Sequence, residues 1–212
     1  MRRTPTTLRD RHALVTGASS GLGADFAREL ARRGAHLTLV ARREDRLRSL
    51  QRELAGGHGV EVQVVVLDLN DGGAPERLLH ATGEHGRPVD VLVNNAGFGL
   101  YGTFSELEWE RERAMLELDM IVPVHLTKLF LPGMLDRGTG FVLNIASIGA
   151  YSPSPLYASY SAAKSFISTS PRRSATSCGA PACGPRRSPP GSWPPSSSRS
   201  PASRPPATSG WP

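Results

Sequence analysis

Tyr160 and Lys164 stand one helical turn apart in the run Tyr160-Ser161-Ala162-Ala163-Lys164, so a helix there presents both side chains on one face. A free phenol titrates near pH ~10 and is a poor proton donor or acceptor at neutrality unless nearby positive charge favours its phenolate. Lys164 can supply that charge. Lysine occurs in this chain only at Lys128 and Lys164, and neither Tyr151 nor Tyr157 has a lysine four residues on. Ser147 precedes Tyr160 by thirteen positions, just past an apolar run. The bland readings are an interface aromatic for Tyr160 and a solvated helix residue for Lys164. The rarity of lysine, and its absence four residues after Tyr151 and Tyr157, weigh against both.

A second group of residues suits a phosphate-bearing ligand. In Thr16-Gly17-Ala18-Ser19-Ser20-Gly21-Leu22-Gly23 the glycines allow a tight turn, and a helix opening there offers its amides and positive dipole end to an anion. Glycine-rich turns also serve helix packing alone, so the motif gains weight only from its setting between a strand and a helix. Arg42 and Arg43 follow the next strand, where an acid would greet the 2′-hydroxyl of NAD. Guanidinium groups pair instead with a 2′-phosphate, which favours NADP over NAD. Two solvated arginines opening a helix are the alternative. Asp68-Leu69 ends a third strand, where an Asp can also simply cap a turn. Asn94-Asn95-Ala96-Gly97 ends a fourth, with amides able to tie strand ends together and small residues that leave room for a ligand.

The elements that must position these residues are legible from periodicity. His12 to Thr16, His36 to Ala41, Val60 to Leu67, Val89 to Val93 and Phe141 to Ile145 are short apolar or β-branched runs. Between them, helical spacing spans Gly21 to Arg33, Glu44 to Ala55, Leu78 to His85 and Leu116 to Leu135. A last helix is expected to open at Ser154-Pro155 and run through Tyr160 and Lys164 until Pro171. Strands alternating with helices predict an α/β fold: a doubly wound, Rossmann-like parallel sheet with helices on both faces, broken off after the fifth strand and its helix.

From His12 to about Thr169 these motifs, in this order, resemble the short-chain dehydrogenase/reductase family. The resemblance implies hydride transfer between NADP(H) and a small-molecule carbonyl or alcohol substrate. Tyr160 would exchange the proton, Ser147 would hold the substrate oxygen, and Lys164 would also hold the nicotinamide ribose. Cofactor contacts would come from Gly17, Ser19, Ser20, Gly21, Leu22 and Gly23, from Arg42 and Arg43, from Asp68 and Leu69, from Asn95, Ala96 and Gly97, and from Tyr160 and Lys164. Where the family commonly has an asparagine that helps a water-mediated proton relay, this chain has Asp119, a weaker catalytic candidate whose bland reading is a helix-surface acid. The other function class is an inactive nucleotide-binding remnant or redox-sensing module, to which the intact Ser147, Tyr160 and Lys164 are the objection.

Composition bounds the rest. The 212 residues suffice for one domain, and the formal charge of +6 does not belong to its fold. Six arginines and no acid lie beyond Pro171, which leaves 19 basic against 19 acidic residues before it. No nucleic-acid partner is therefore expected. Cys178 and Cys183 also lie in that tail and are not read as a disulfide or metal site, and no metal site is expected elsewhere. The N-terminus carries arginines without an apolar run, and no apolar stretch reaches the ~18 residues that a membrane helix needs, so a soluble cytoplasmic protein is expected.

Residues 171–212 hold eleven of the 18 prolines and lack apolar periodicity; by composition they read as disordered. A sharper expectation is a reading-frame shift that leaves 1–170 as an incomplete NADP-binding domain. Taking the third base of each codon with the first two of the next, Pro171 to Cys178 is compatible with Glu-Ala-Leu-Arg-Asp-Glu-Leu, an amphipathic continuation of the last helix. Pro189 to Ser196 allows Pro-Gly-Val-Val-Ala-Thr-Glu, with the alanine forced by the single codon of Trp193. A Pro-Gly segment of this kind follows the sixth strand in the family, and a homo-oligomer of the family's type is expected only of the restored frame.

Overall fold

A computed structural model describes residues 7–84, 86–152 and 155–169, all within one compact unit, Met1–Pro181. Five parallel strands, β1 (His12–Thr16), β2 (His36–Ala41), β3 (Val62–Val66), β4 (Val91–Asn94) and β5 (Phe141–Asn144), form one sheet in the order β3-β2-β1-β4-β5. Every residue of β1 and β4 is buried, as strands covered on both faces require. Helices α1 (Gly21–Arg32), α2 (Glu44–His58), α3 (Ala74–Gly83), α4 (Trp109–Leu116), α5 (Val122–Asp136) and α6 (Ala158–Thr169) complete the expected α/β architecture. One apolar cluster packs Leu47, Leu50 and Leu54 of α2 against β1 and β2; the other packs Leu78 of α3 and Leu126, Phe130 and Met134 of α5 against Leu14 and Leu92.

The strand order reverses at β1. β2 and β3 lie to one side and β4 and β5 to the other, so the loops leaving β1 and β4 diverge and open a crevice at the carboxyl ends of the strands. Both glycine-bearing motifs lie there. β5 pairs only with β4 among the described residues, and its Phe141 and Leu143 are 52% and 43% exposed. Among the described residues no helix is long and apolar enough to cross a membrane. The expected out-of-frame tail, 171–212, lies outside the described residues.

Three helix starts differ from expectation, each for a local reason. α3 opens at Ala74 rather than Leu78 because Gly73, at φ 70°, turns the chain and Pro75 sits in the first turn, where its missing N–H costs nothing. The helix expected at Leu116 to Leu135 begins at Trp109 and is interrupted by a π-helical turn, Glu117–Ile121, before α5. α6 opens at Ala158 rather than at Pro155: Leu156 has φ 67°, which no α-helix accommodates, and Ser154 lies outside the described residues.

Candidate functional site

The turn between β1 and α1 is built by glycines for steric reasons. Gly17 has φ 67°, and a Cβ on it would lie 2.9 Å from the Ala96 Cα. A Cβ on Gly23, in the first turn of α1, would collide with the Gly17 carbonyl oxygen. Loop and helix therefore meet through backbone, with the Asn95 amide of the β4 loop packed against both, leaving the N-terminal turn of α1 at the crevice. Ser20 is the N-cap but makes no side-chain cap, and Leu22 is 61% exposed. The amides of that first turn face a position suited to an anion.

Two arginines border this turn. The Arg43 guanidinium donates to the Ser19 hydroxyl (2.9 Å) and the Ser20 hydroxyl (2.7 Å), which draws β2's end over the glycine loop. Arg42 pairs with Asp68 at 3.4 Å. Asp68 also accepts the Asn70 N–H at 3.0 Å, the turn-capping role open to it from sequence. Gly17, Ser19, Ser20, Arg42, Arg43, Asp68, Leu69, Ala96 and Gly97 line one cleft of about 200 Å³. A larger depression, about 510 Å³, lies at the opposite ends of the strands beside Arg9, Arg33, His36 and His58 and contains none of the motif residues.

The amides after β4 tie strand ends together. Asn94 Nδ2 donates to Asn144 Oδ1 across to β5 at 2.8 Å, and Asn95 Nδ2 donates to the Thr16 carbonyl at 2.9 Å. Thr16 Oγ1 accepts the backbone N–H groups of both Asn95 and Ala96 at 3.0 Å and donates to the Val93 carbonyl at 3.2 Å.

Tyr160 and Lys164 lie on one face of α6, with the Lys164 Nζ 5.8 Å from the centre of the Tyr160 ring. A Cβ on Gly149 would stand 3.6 Å from Ser147 Oγ and 3.9 Å from Tyr160 Cε1, so serine and tyrosine flank one point in space. Ser147 caps the short 3₁₀ turn Ile148–Ala150 by accepting the Gly149 N–H at 3.2 Å, which fixes its hydroxyl. Lys164 Nζ donates to the Ile145 carbonyl at 3.4 Å and meets Asp119 Oδ2 at 3.3 Å. Asp119 is thus no helix-surface acid. It is 1% exposed, in the π-helical turn, with Gly97 so close that a Cβ there would strike its carboxylate. Burial pushes the Asp119 carboxyl above its ordinary value, against the pull of the Lys164 ammonium and the Phe98 backbone amide.

The family model described as short chain dehydrogenase matches residues 11–176, across every element just described. The chain belongs to the short-chain dehydrogenase family. It is 36% identical over 161 residues to a very-long-chain 3-oxoacyl-CoA reductase of Mycosarcoma maydis, covering 74% of this chain and 45% of that protein. The L-sorbose reductase of Gluconobacter frateurii, solved with NADPH and L-sorbose, superposes with a TM-score of 0.73 at 33% identity, over 77% of this chain and 62% of that one. An alcohol dehydrogenase of Thermococcus sibiricus, complexed with 5-hydroxy-NADP, gives 0.71 at 33% identity over 75% and 67%. The chain spans about half the length of the curated relatives it matches.

In this short-chain dehydrogenase three contributors escape a reading of the sequence. Thr16 organises the β4 loop, and its only sequence signal is its place before Gly17. Asn144 anchors Asn94; its signal is a polar residue ending an otherwise apolar strand. Glu112 is 7% exposed and accepts the Ser159 hydroxyl, fastening α4 to α6 one residue before Tyr160. Within Trp109-Glu110-Arg111-Glu112-Arg113 nothing marks which acid turns inward.

Proposed function

We propose that the protein is an NADP-dependent oxidoreductase that interconverts a ketone or aldehyde and the corresponding alcohol, with Ser147, Tyr160 and Lys164 as its catalytic residues. The observation that carries this reading is that Ser147 and Tyr160 both lie against Gly149, with Lys164 one turn on from Tyr160 and against Gly97, a residue of the glycine-lined cleft. The close packing at Gly17 and Gly23, which a Cβ at either position would break against Ala96, Asn95 or the Gly17 carbonyl, fits the tight turn that a pyrophosphate-binding loop needs. Arg42 and Arg43, both at the cleft, fit a 2′-phosphate, in keeping with the NADP or NADPH named for the solved relatives. The Arg42–Asp68 pair is exposed and weak enough to open toward a phosphate.

The glycine turn together with Arg42 and Arg43 would hold NADPH, which would supply the hydride for reduction of a carbonyl carbon. Tyr160 gives its phenolic proton to the carbonyl oxygen, so the alcohol forms and a phenolate remains. Ser147 donates to that oxygen and orients it. Lys164 stabilises the phenolate by charge, and solvent returns the proton to Tyr160. Asp119 completes the group by pairing with Lys164. Residues 1–170 form the incomplete catalytic domain, and 171–212 are the frame-shifted remainder.

Sequencing the source DNA across the codons for Ser168 to Arg172 tests the frame, with an inserted or missing base expected. The restored enzyme should oxidise NADPH in the presence of a panel of ketones and aldehydes, with NADPH favoured over NADH by at least about tenfold in kcat/KM. Binding of NADPH without turnover of any carbonyl would sink the proposal and leave a nucleotide-binding module. Gly23→Ala tests the cradle: its Cβ meets backbone, which cannot swing aside as a side chain can, so NADPH affinity by fluorescence titration should fall at least about tenfold. A change under twofold would show that no close approach to a pyrophosphate is needed.

A further inference from the structure

Described residues of the loops that follow β4 and β5 border Tyr160, and neither loop carries a Lys, Arg or His. Asn95 to Ser105 and Ile145 to Tyr157 contain no Asp, Glu, Lys, Arg or His. Lys164, the cation beside Tyr160, is already engaged by Asp119 and the Ile145 carbonyl.

Aromatic and aliphatic side chains stand in place of charge. The Tyr101 ring meets Tyr157 edge-on, centroids 5.2 Å apart, and Tyr157 meets Tyr160 at 5.9 Å, so three rings form a ladder ending on the catalytic phenol. Its outer rung, Tyr101, is 65% exposed, and Ile148, next to Ser147, is 89% exposed. The Gly102 N–H donates to the Leu156 carbonyl at 3.0 Å and straps the two loops together. Leu156 holds a left-handed backbone (φ 67°), a conformation costly for leucine that persists where surroundings enforce it and that clusters at ligand-binding sites. Apolar surface held open by two strapped loops around a proton donor favours an apolar occupant over a hydrated one.

We infer that the substrate is a ketone, or its secondary alcohol, carrying an aryl or similarly bulky apolar group that packs on Tyr101 and Tyr157, with no anionic group beside the carbonyl. This rests on the oxidoreductase reading above. A keto acid or phosphorylated ketone would place its charge where the described loops offer no counter-ion, at a desolvation cost that an aryl ketone avoids. Tyr101 and Tyr157 then act as specificity-determining residues: a ring laid against theirs adds a contact that a small ketone cannot make.

The test uses the 212-residue chain saturated with NADP⁺ and the fluorescent aryl ketone 6-propionyl-2-(dimethylamino)naphthalene, whose emission shifts to the blue in apolar surroundings. Saturable blue-shifted emission is expected, displaced by propiophenone but not by equal 2-oxobutyrate. Tyr101→Ser with Tyr157→Ser should weaken the probe at least about tenfold. If that pair disturbs the far-UV circular dichroism, Tyr101→Ser alone, at an exposed position, should weaken it at least threefold. Absence of saturable binding, displacement by 2-oxobutyrate as readily as by propiophenone, or indifference to both substitutions would overturn the inference. Failure of the oxidoreductase reading looks different: propiophenone displaces the probe from the frame-restored enzyme, yet NADPH is not consumed.

Discussion

Tyr160→Phe is expected to lower kcat of the frame-restored enzyme by about 10²–10⁴-fold, the range that a positioned acid–base group contributes, while the dissociation constant for NADPH changes less than threefold. The hydroxyl is the only part removed. The ring that packs under Gly99 and against Tyr157 remains, so the pocket keeps its shape. Ser147 would still hold the carbonyl oxygen, but the alkoxide formed on hydride arrival would lack its proton donor. Lys164→Met should be equally damaging to turnover, and it should also weaken NADPH if Lys164 reaches the nicotinamide ribose, the contact that the family resemblance implies. The pair of variants separates the two roles: Tyr160→Phe affects kcat alone, Lys164→Met affects kcat and cofactor affinity. If Tyr160→Phe retained more than a tenth of the activity, another group would be exchanging the proton, and the assignment of Tyr160 would fail.

β1, β2 and β4 were legible because they are covered on both faces, so apolar runs such as His36 to Ala41 need no alternation to stand out. Helices were less so where burial is polar. α4 carries Glu110, Arg111, Glu112 and Arg113, a run that looks solvated throughout, yet Glu112 turns inward to Ser159 and Met115 is fully buried. Periodicity counts apolar positions and misses a helix whose inner face includes a hydrogen-bonded acid. The π-helical turn at Glu117–Ile121 was invisible for a related reason. An added residue per turn rotates Asp119 toward α6, and no residue type marks such a turn in advance. The order of the motifs brought their residues to one crevice, since the loops after β1, β2, β3 and β4 all lie at the carboxyl ends of parallel strands. Which partners they choose was not legible: Arg43 bonds Ser19 and Ser20 while Arg42 turns to Asp68, a choice set by side-chain reach across neighbouring strands.

Asp119→Ala is expected to destabilise the 212-residue chain by about 3–5 kcal/mol in urea unfolding, because it strands the Lys164 ammonium in a site where its side chain is only 8% exposed. Asp119→Leu combined with Lys164→Met should cost far less than the sum of the two single changes, since a buried ion pair replaced whole by apolar groups leaves no uncompensated charge. Additive losses in that cycle would mean that the two groups do not sense each other. The pH dependence follows from the direction of the Asp119 shift. Desolvation raises its folded value above the ordinary 3.8, so the folded state holds this proton more tightly than the unfolded chain does. The stability that Asp119 contributes is therefore fully present below the ordinary carboxyl value and is lost as pH rises through the raised one. Asp119→Asn keeps an oxygen facing Lys164 and has no proton to lose, so the difference in urea midpoint, wild type minus variant, should decline as pH climbs from about 4 across that window and then level off. A difference that grows with pH would show the opposite balance: that Lys164 holds the carboxylate charged more firmly than burial opposes it.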